Sequence, residues 1–268
     1  MSAELARERA RALYEARAAG KPIGPFTDDD PGLGMDDGYA IQQELMRLIL
    51  ADGDTVIGYK VGLTSLPMQR MLGVDSPDHA PVLGSTRYAD GGTVALSEFI
   101  APKMEAEIVF VLGERLQGPG VTTAQARAAI SHAVAGLEIV DSRIEDWRIG
   151  LADTVADLAS NGALVLSDRQ VPFTDLPDPR LIGMALTRTS GGAPEDELVD
   201  TGAGAAALGD PVAVVAWLAN VLGRSGVALE AGHVVLTGAL HAAVPMRAGE
   251  QYRAEFDRLG PVRISVGA

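Results

Sequence analysis

The sequence lacks cysteine, a long apolar run and a secretory signal. The absence of cysteine from its 268 residues excludes disulfide bonds, thiolate metal sites and a cysteine nucleophile. No run of about 18 or more apolar residues occurs, so the sequence predicts no transmembrane helix. The N-terminal stretch MSAELARERARALYEARAAG is charged and lacks the apolar core of a secretory signal. We therefore expect a cytoplasmic protein that does not bind a membrane.

Positive charge is also scarce. The chain carries 22 Lys and Arg against 36 Asp and Glu, a formal net charge of −14. Binding to a nucleic-acid backbone needs clusters of Lys and Arg, so we expect no nucleic-acid partner. A small anionic substrate is compatible with this charge, because it responds only to nearby groups. No GxGxxG motif opens a helix after a strand and no Walker A motif occurs, so nucleotide binding is not predicted.

The hydrophobic pattern predicts an α+β fold with helices first and mostly strands after them. Helical patterns cover about 3–18, 36–50, 122–134 and 211–223. Strand patterns cover 56–63, 104–112, 136–141, 163–167, 181–189, 233–237, 251–257 and 261–266. The stretch TSGGAPEDELVDTGAGAAALGDP is predicted to form a long surface loop. This order indicates a helical N-terminal region over 1–55, followed by one domain over 56–268.

Two glutamates stand in an otherwise apolar strand, PKMEAEIVFVL (102–112). Side chains alternate along a strand, so Glu105 and Glu107 share one face. A solvent-facing strand would explain the pair without any function. The same face continues with Val109 and Val111, however, which indicates that the far end of the strand is buried.

A third glutamate, Glu138, has a similarly apolar setting in AVAGLEIVDSRIEDW. Three buried carboxylates without a cation would repel each other and lose their hydration. A divalent ion relieves both effects, and ligands that are all oxygen favour Mg²⁺ or Mn²⁺ over zinc. The residues therefore predict a metal site at Glu105, Glu107 and Glu138, with positions open for water or substrate.

Six blocks of the sequence resemble one known family. They are IGYKVGLTS (57–65), MQRMLGVDSPD (68–78), PKMEAEIVFVL (102–112), LEIVDSRIEDW (137–147), DTVADLASNG (153–162) and LTGAL (236–240). In this order they are similar to the hydratase/decarboxylase branch of the fumarylacetoacetate hydrolase superfamily. That branch includes the 2-oxopent-4-enoate (2-hydroxypenta-2,4-dienoate) hydratases and the 4-oxalocrotonate (2-oxo-3-hexenedioate) decarboxylases. The resemblance implies a mixed β-sheet roll with a small helical N-terminal region, the catalytic domain covering 56–268.

The resemblance also implies roles for individual residues. It gives the metal to the same three glutamates that the charge argument selects. Lys60 matches a lysine facing the active site, although a surface lysine is the alternative. Asp78 matches an acid that acts as a base or proton relay, and Asp75 is the alternative to it.

Three further positions match residues that line the substrate pocket: Ser160, Thr237 and Gly238. Their implied task is hydrogen bonding to the carboxylate of a 2-oxo acid or to water. For Thr237 a purely structural place at a strand end is equally compatible with the pattern. Arg143, Asp146 and Trp147 are interpreted as structural residues.

The implied activity is that of a hydro-lyase of aromatic meta-cleavage catabolism. It would add water to a 2-hydroxy-2,4-dienoate of the 2-oxopent-4-enoate type and give a 4-hydroxy-2-oxo acid. LTGAL favours a hydratase, since the decarboxylases more often have TGG there. A decarboxylase uses the same electron sink and is the alternative reaction. A non-catalytic partner subunit is the alternative from another class, although the retained glutamates and Lys60 argue against it. The resemblance further implies a homo-oligomer that can associate with another pathway enzyme.

The sequence departs from the family at two places. His79, Ala80 and Pro81 follow Asp78 where the family usually has Phe-Gly, so His79 is either a new proton donor or a solvated loop residue. Leu158 stands where the family usually has Asn, which would make the pocket more apolar. His241 follows LTGAL, and we expect it near the mouth of the pocket.

Overall fold

The computed structural model describes residues 1–65, 69–70, 74, 76–190 and 196–268. The helices in these ranges are α1 Ala3–Ala19, α2 Phe26–Asp29, α3 Met35–Ala51, α4 Thr123–Ala129, α5 Leu151–Ala156 and α6 Pro211–Arg224. The strands are β1 Val56–Gly62, β2 Asp78–Leu83, β3 Arg87–Ala89, β4 Thr93–Ala95, β5 Lys103–Leu112, β6 Ile130–Val140, β7 Asn161–Leu166, β8 Val171–Pro172, β9 Gly183–Ser190, β10 Glu197–Ala203, β11 Val234–Leu236, β12 Val244–Pro245, β13 Glu250–Phe256 and β14 Gly260–Gly267.

The N-terminal helices pack on each other and on the end of the larger sheet. The hydroxyl of Ser2 accepts a hydrogen bond from the Leu5 N–H and caps α1, which ends at Gly20 in the left-handed conformation, φ 60°. Small and apolar residues of α1 face apolar residues of α3, because both repeat at helical spacing. Their cluster also contains Ala80, Leu83, Ala156 and Leu158. The helical region is thereby joined to the sheet, and the boundary at residue 55 stays a prediction.

Within the described residues, the larger sheet has nine strands, and it carries the candidate site residues. Its order is β2-β1-β11-β5-β6-β7-β3, with β12 beside β5 and β8 beside β6. Strands β5 and β6 are antiparallel neighbours at its centre and are buried along most of their length. Burial on both faces explains why these segments are apolar runs without strict alternation.

The smaller sheet has five strands in the order β10-β9-β13-β14-β4. Residues of β13 alternate between buried and exposed, which is the pattern of a strand with one solvated face. Its buried face belongs to the same core as the central strands of the larger sheet. The two sheets therefore enclose the main hydrophobic core between them.

Helix α6 covers this core. Asp210 caps it through the Val212 N–H, and Pro211 takes the first helical position, as the sequence predicts. The segment Gly204–Arg224 is long and apolar enough to cross a membrane by length and composition, but half of it is buried inside the protein. Its apolar side chains pack in the protein core, which accounts for the composition.

The α+β fold and all eight predicted strands are confirmed. The helix predicted over 122–134 is wrong in its second half, because α4 ends at Ala129 and β6 begins at Ile130. Pairing with β5 determines this change of structure. The surface loop predicted after β9 is wrong in part: residues 197–203 form β10 against β9. Hydrogen bonds of the ladder hold this polar, glycine-containing segment as a strand despite its weak strand propensity.

Candidate active site

Strands β5 and β6 bring three glutamates to one face of the larger sheet. Glu105 stands directly opposite Glu138, and Glu107 lies two residues further along β5, opposite Gly136. Directly paired residues point to the same side of a sheet, so the three carboxylates converge. Each offers one oxygen, and these oxygens lie within 4.8 Å of one another. The arrangement is the one that the sequence predicts for a cation site.

Lys60 lies beside this cluster on β1. Its Nζ is 3.2 Å from Glu138 Oε1 and donates a hydrogen bond to the Ala159 carbonyl at 2.8 Å. Only 4% of the residue is exposed, so the alternative of a surface lysine is wrong. Asn161 Nδ2 also donates to Glu138 Oε1, at 2.8 Å. Glu138 Oε1 therefore accepts a hydrogen bond from Asn161 and forms a salt bridge with Lys60.

Negative charge exceeds positive charge in this cluster. Burial raises the pKa of Glu105 to about 7, against the opposing effect of Lys60. Burial, Glu138 and Glu105 together raise the pKa of Glu107 well above its ordinary value. Burial by itself lowers the pKa of Lys60, but the surrounding carboxylates outweigh it and the net shift is upward. One lysine is thus insufficient to neutralise three glutamates.

The carboxylate oxygens of this cluster fit a hard divalent cation as ligands. The other oxygen of Glu138, Oε2, is buried and accepts no hydrogen bond from any residue that the structure describes. An unpaired buried carboxylate oxygen is costly, and a cation removes that cost. Carboxylate oxygens are the ligands that Mg²⁺ and Mn²⁺ prefer.

Asp78 faces the cluster from β2, opposite Gly62 of β1. It is 2% exposed, and its Oδ1 has no hydrogen-bond partner among the residues described. Burial raises its pKa, and Lys60 partly opposes this shift. A Cβ at position 62 would lie 2.2 Å from Asp78 Oδ1, so the close approach requires glycine. Asp75, the alternative to Asp78, lies outside the described residues.

Helix α3 holds the segment that carries Asp78. The Tyr39 hydroxyl accepts a hydrogen bond from the His79 N–H at 3.1 Å, and Gln42 Nε2 donates to the His79 carbonyl at 3.1 Å. The His79 ring stacks on Tyr39 with 4.6 Å between centroids and meets the edge of Trp217. The prediction of a solvated loop histidine is wrong, because His79 lies buried on β2 and burial lowers its pKa to about 4. It is not among the residues that line the cavity described below.

Residues 158–160 have a strained backbone that places the Ala159 carbonyl within hydrogen-bond distance of Lys60 Nζ. Leu158, Ala159 and Ser160 have φ values of 53°, 49° and 55°, a conformation that costs about 1–2 kcal/mol for each residue other than glycine. Arg143 holds the segment by donating to the Asp157 carboxylate and to backbone carbonyls, the structural role that the sequence predicts for it. Leu158 packs in the helical cluster and not on the cavity, so its predicted effect on pocket polarity is wrong.

Thr237 and Gly238 form hydrogen bonds with β5 next to the glutamates. The Thr237 hydroxyl donates to the Ile108 carbonyl at 2.8 Å. This contact agrees with the structural role that the sequence predicts as the alternative to substrate binding. Gly238 has φ 101°, and its N–H donates to Glu107 Oε2 at 2.8 Å. Neither residue lines the cavity, and contact of either with a substrate stays a prediction.

A cavity of about 480 Å³ opens in front of the cluster. Its polar side includes Lys60, Asp78, Glu105, Glu107 and Ser160. Its remaining walls are largely apolar and include Trp147, Ile149, Ala206 and Leu240. A volume of this size suits a small organic acid. His241 also lines the cavity, as the sequence predicts.

Sequence reasoning missed two contributors to this site. The sequence predicts only a structural role for Trp147. In the structure Trp147 lines the cavity, and its indole N–H donates to the Ala101 carbonyl at 2.9 Å. Lys103 Nζ lies 3.8 Å from the centre of its ring. Asn161 is not among the residues that the sequence predicts for the site, although an asparagine at the start of an apolar strand beside Ser160 indicates a buried polar contact.

Residues 69–267 match the family described as Fumarylacetoacetate (FAA) hydrolase C-terminal. This match covers more than half of the chain, so the chain belongs to the fumarylacetoacetate hydrolase family. The predicted resemblance is thereby confirmed.

Individual relatives point to one branch of the family. The chain is 41% identical over 263 residues to the 2-keto-4-pentenoate hydratase of Paraburkholderia xenovorans (strain LB400), covering 98% of this chain and 95% of the relative. It is 40% identical over 254 residues to the 2-hydroxyhexa-2,4-dienoate hydratase of Comamonas testosteroni, covering 94% of each. The structure of 4-oxalocrotonate decarboxylase from Pseudomonas putida G7, complexed with magnesium and adipate, is similar with a TM-score of 0.93 and 33% identity. That comparison covers 99% of this chain and 98% of the decarboxylase.

Proposed function

We propose that this chain is a hydratase of aromatic meta-cleavage catabolism. It adds water to a 2-hydroxy-2,4-dienoate of the 2-oxopent-4-enoate type and forms a 4-hydroxy-2-oxo acid. Relatives named as hydratases of such acids, 40 and 41% identical over nearly their whole length, support this proposal. The observation that carries it is the cluster of Glu105, Glu107 and Glu138. It lies beside a cavity that Glu105 and Glu107 line together with Lys60 and Asp78.

The three glutamates would hold Mg²⁺ or Mn²⁺. The hard oxygen ligands support this assignment, as does Glu138 Oε2, which is buried and has no hydrogen-bond partner in the part of the chain that the structure describes. The magnesium in the similar decarboxylase structure agrees with it. When bound, such an ion supplies Lewis-acid polarisation of a 2-oxo acid.

Asp78 and Lys60 are the groups that we propose for the proton transfers. The dienol loses its C2 hydroxyl proton and gains a proton at C5, which gives a 2-oxo-3-enoate. The oxygen of water then bonds to C4, and C3 gains a proton. Asp78 Oδ1 has no hydrogen-bond partner among the described residues and its pKa is raised, so it can hold a proton at the cavity wall and release it.

Lys60 and Ser160 would orient the substrate. Lys60 places a positive charge next to the carboxylates, where it favours an anionic substrate group. Ser160 lines the same cavity, and its hydroxyl can donate to a substrate carboxylate or to water. The apolar walls would receive the carbon tail.

Decarboxylation is the second candidate, because the similar solved structure is a decarboxylase. A dicarboxylate substrate would need a positive group at its distal end as well. In the part of the chain that the structure describes, Lys60 is the only Lys or Arg that lines the cavity. The residues that are not described contain neither Lys nor Arg. Hydration is therefore the better supported reaction.

The test follows the ultraviolet absorbance of 2-hydroxypenta-2,4-dienoate with Mn²⁺ and, separately, with EDTA. We expect Mn²⁺-dependent loss of the dienoate and a product that contains added water. Release of CO₂ from 2-oxo-3-hexenedioate without hydration would support the decarboxylase. Absence of turnover on every dienoate would support a non-catalytic partner subunit.

The remaining expectations concern location and assembly. We propose a cytoplasmic homo-oligomer that can associate with another enzyme of its pathway, with a helical region over 1–55 and a catalytic domain over 56–268. The resemblance to the hydratases supports this proposal. Light scattering of the purified protein tests the assembly.

A further inference from the structure

The central strand β5 has a gap in its pairing beside the glutamates. On the edge away from β6, β11 pairs with Val109–Val111 and β12 pairs with Lys103 and Met104. Among the described strands, none pairs with residues 105–108 on this edge. Backbone groups of a buried strand need hydrogen-bond partners, so another part of the chain must supply them.

Residues 237–241, which we call the clasp, fill this gap. The Leu240 N–H donates to the Ala106 carbonyl at 3.1 Å, and the Thr237 hydroxyl donates to the Ile108 carbonyl at 2.8 Å. The Ala106 N–H donates to His241 Nε2 at 2.9 Å. An imidazole nitrogen therefore takes the place that a backbone carbonyl has in an ordinary ladder.

Both nitrogens of the His241 ring are engaged. Nε2 accepts from Ala106 and so carries no proton, while Nδ1 lies 2.6 Å from the Ala242 carbonyl and carries the proton as a donor. Burial lowers the pKa of His241, against the opposing effects of the Ala242 carbonyl and Asp200, which agrees with a neutral ring. The ring lines the cavity, but neither nitrogen is free to exchange a proton with a substrate.

We propose that His241 is a positioning residue for the carboxylate cluster. Its bond to Ala106 fixes the backbone between Glu105 and Glu107, and this fixes the separation of their carboxylates. The inference rests on the proposed function in one respect, because it takes these glutamates to be metal ligands. The residue acts through the strand and does not itself contact the metal or the reacting atoms.

Loss of the imidazole should loosen the site without removing a ligand. The Ala106 N–H would lose its acceptor, and residues 105–107 would gain freedom on the side of the cavity. Groups that orient metal ligands typically contribute 10- to 100-fold to metal affinity, and an indirect backbone contact should lie at the lower end, about tenfold. The number of ligands stays the same, so binding weakens without being abolished.

The experiment compares three proteins with wild type, each prepared free of metal and titrated with Mn²⁺. His241→Ala removes the acceptor, and His241→Gln supplies an amide oxygen near the position of Nε2. His233→Ala is the matched control, because His233 Nδ1 also accepts a backbone N–H, from Glu230 at 3.2 Å, but does not line the cavity.

We expect His241→Ala to weaken Mn²⁺ binding about tenfold and to lower kcat more than it changes KM. His241→Gln should recover most of the affinity, and His233→Ala should bind Mn²⁺ like wild type. Thermal unfolding of each variant checks that it is folded. If His241→Ala does not fold, His241→Asn replaces it, since its amide is one methylene too short to reach Ala106 and it should bind Mn²⁺ more weakly than His241→Gln.

The outcomes separate the inference from the proposed function. If wild type binds no Mn²⁺, the proposed metal site is wrong and the inference falls with it. If wild type binds Mn²⁺ and His241→Ala (or His241→Asn in its place) binds it equally well, only the inference is overturned. If His241→Gln loses as much Mn²⁺ affinity as His241→Ala or its replacement His241→Asn, the inference is also overturned, because the hydrogen-bond acceptor would then be irrelevant.

Discussion

Asn161 and Glu138 form a buried hydrogen bond in which Asn161 Nδ2 donates to Glu138 Oε1 at 2.8 Å. The bond joins β7 to β6, where residues 161 and 138 lie on adjacent strands of the larger sheet. It holds one oxygen of Glu138 and leaves Oε2 directed elsewhere without a partner among the described residues. The orientation of Glu138, a proposed metal ligand, thus depends on a residue outside the carboxylate cluster.

The first prediction concerns this contact. Asn161→Ala should weaken Mn²⁺ binding about 10- to 100-fold, because Glu138 loses a donor that orients it. Calorimetric titration of metal-free protein measures the effect. Asn220→Ala is a suitable control, because Asn220 makes two backbone hydrogen bonds to Val121 away from the cavity. The interpretation is wrong if both variants bind Mn²⁺ as wild type does.

A second prediction tests the proposed metal ligands directly. Glu107→Gln keeps the shape of the side chain but removes a charge, so it should abolish both Mn²⁺ binding and turnover. Glu255→Gln, an exposed residue of β13, should change neither. Electron paramagnetic resonance of added Mn²⁺ measures the binding. A Glu107→Gln protein that turns over substrate without metal would falsify the site assignment.

Substitution of Asp78 should separate proton transfer from metal binding. Asp78→Asn keeps the size of the group and leaves the three glutamates intact, so Mn²⁺ affinity should be retained. Loss of a general acid or base should lower kcat about 10²- to 10⁴-fold. Steady-state kinetics with saturating Mn²⁺ provides the measurement.

The control for Asp78 is Tyr39→Phe, which removes only the hydroxyl that accepts the His79 N–H. It should lower kcat far less than Asp78→Asn does. Comparable losses in the two variants would indicate that Asp78 matters for packing and not for chemistry.

The pH dependence of stability should reflect His79. Burial lowers its pKa to about 4 in the folded protein, whereas the ordinary value is 6.5. As the pH falls below 6.5, His79 binds a proton in the unfolded chain but stays neutral in the folded protein. The free energy of unfolding therefore decreases until the pH approaches 4. A difference of this size corresponds to about 3 kcal/mol. Above pH 6.5 the contribution of His79 is fully present.

Urea unfolding at pH 7.5 and pH 5 measures this effect. His79→Phe keeps an aromatic ring against Tyr39 and should show a smaller loss of stability between the two pH values than wild type. His132→Phe should behave like wild type, because His132 is more exposed and its pKa is lowered to a lesser degree. An unchanged loss in His79→Phe would assign the acid sensitivity to other groups.

Part of the fold and of the site was accessible from the sequence, because local periodicity and charge carry it. Alternation along β5 places Glu105 and Glu107 on one face whatever the strand pairs with. The desolvation of three carboxylates then calls for a cation. Helix α1 begins after Ser2 and ends at Gly20 because of capping contacts made within one turn of the helix.

The tertiary structure alone decided which distant groups meet. Register between β5 and β6 sets Glu105 opposite Glu138. A slip of two residues would keep every side chain on its face, so the alternation within either strand does not specify this register. The switch from helix to strand at Ile130, the burial of His79 under Tyr39 and the capture of Ala106 by His241 depend on partners remote in sequence. The sequence by itself determined that three acids share an apolar setting. Only the packed fold determined that Asn161 holds Glu138 Oε1 and that the Gly238 N–H holds Glu107 Oε2, because hydrogen bonds are directional and their partners come from other segments of the chain.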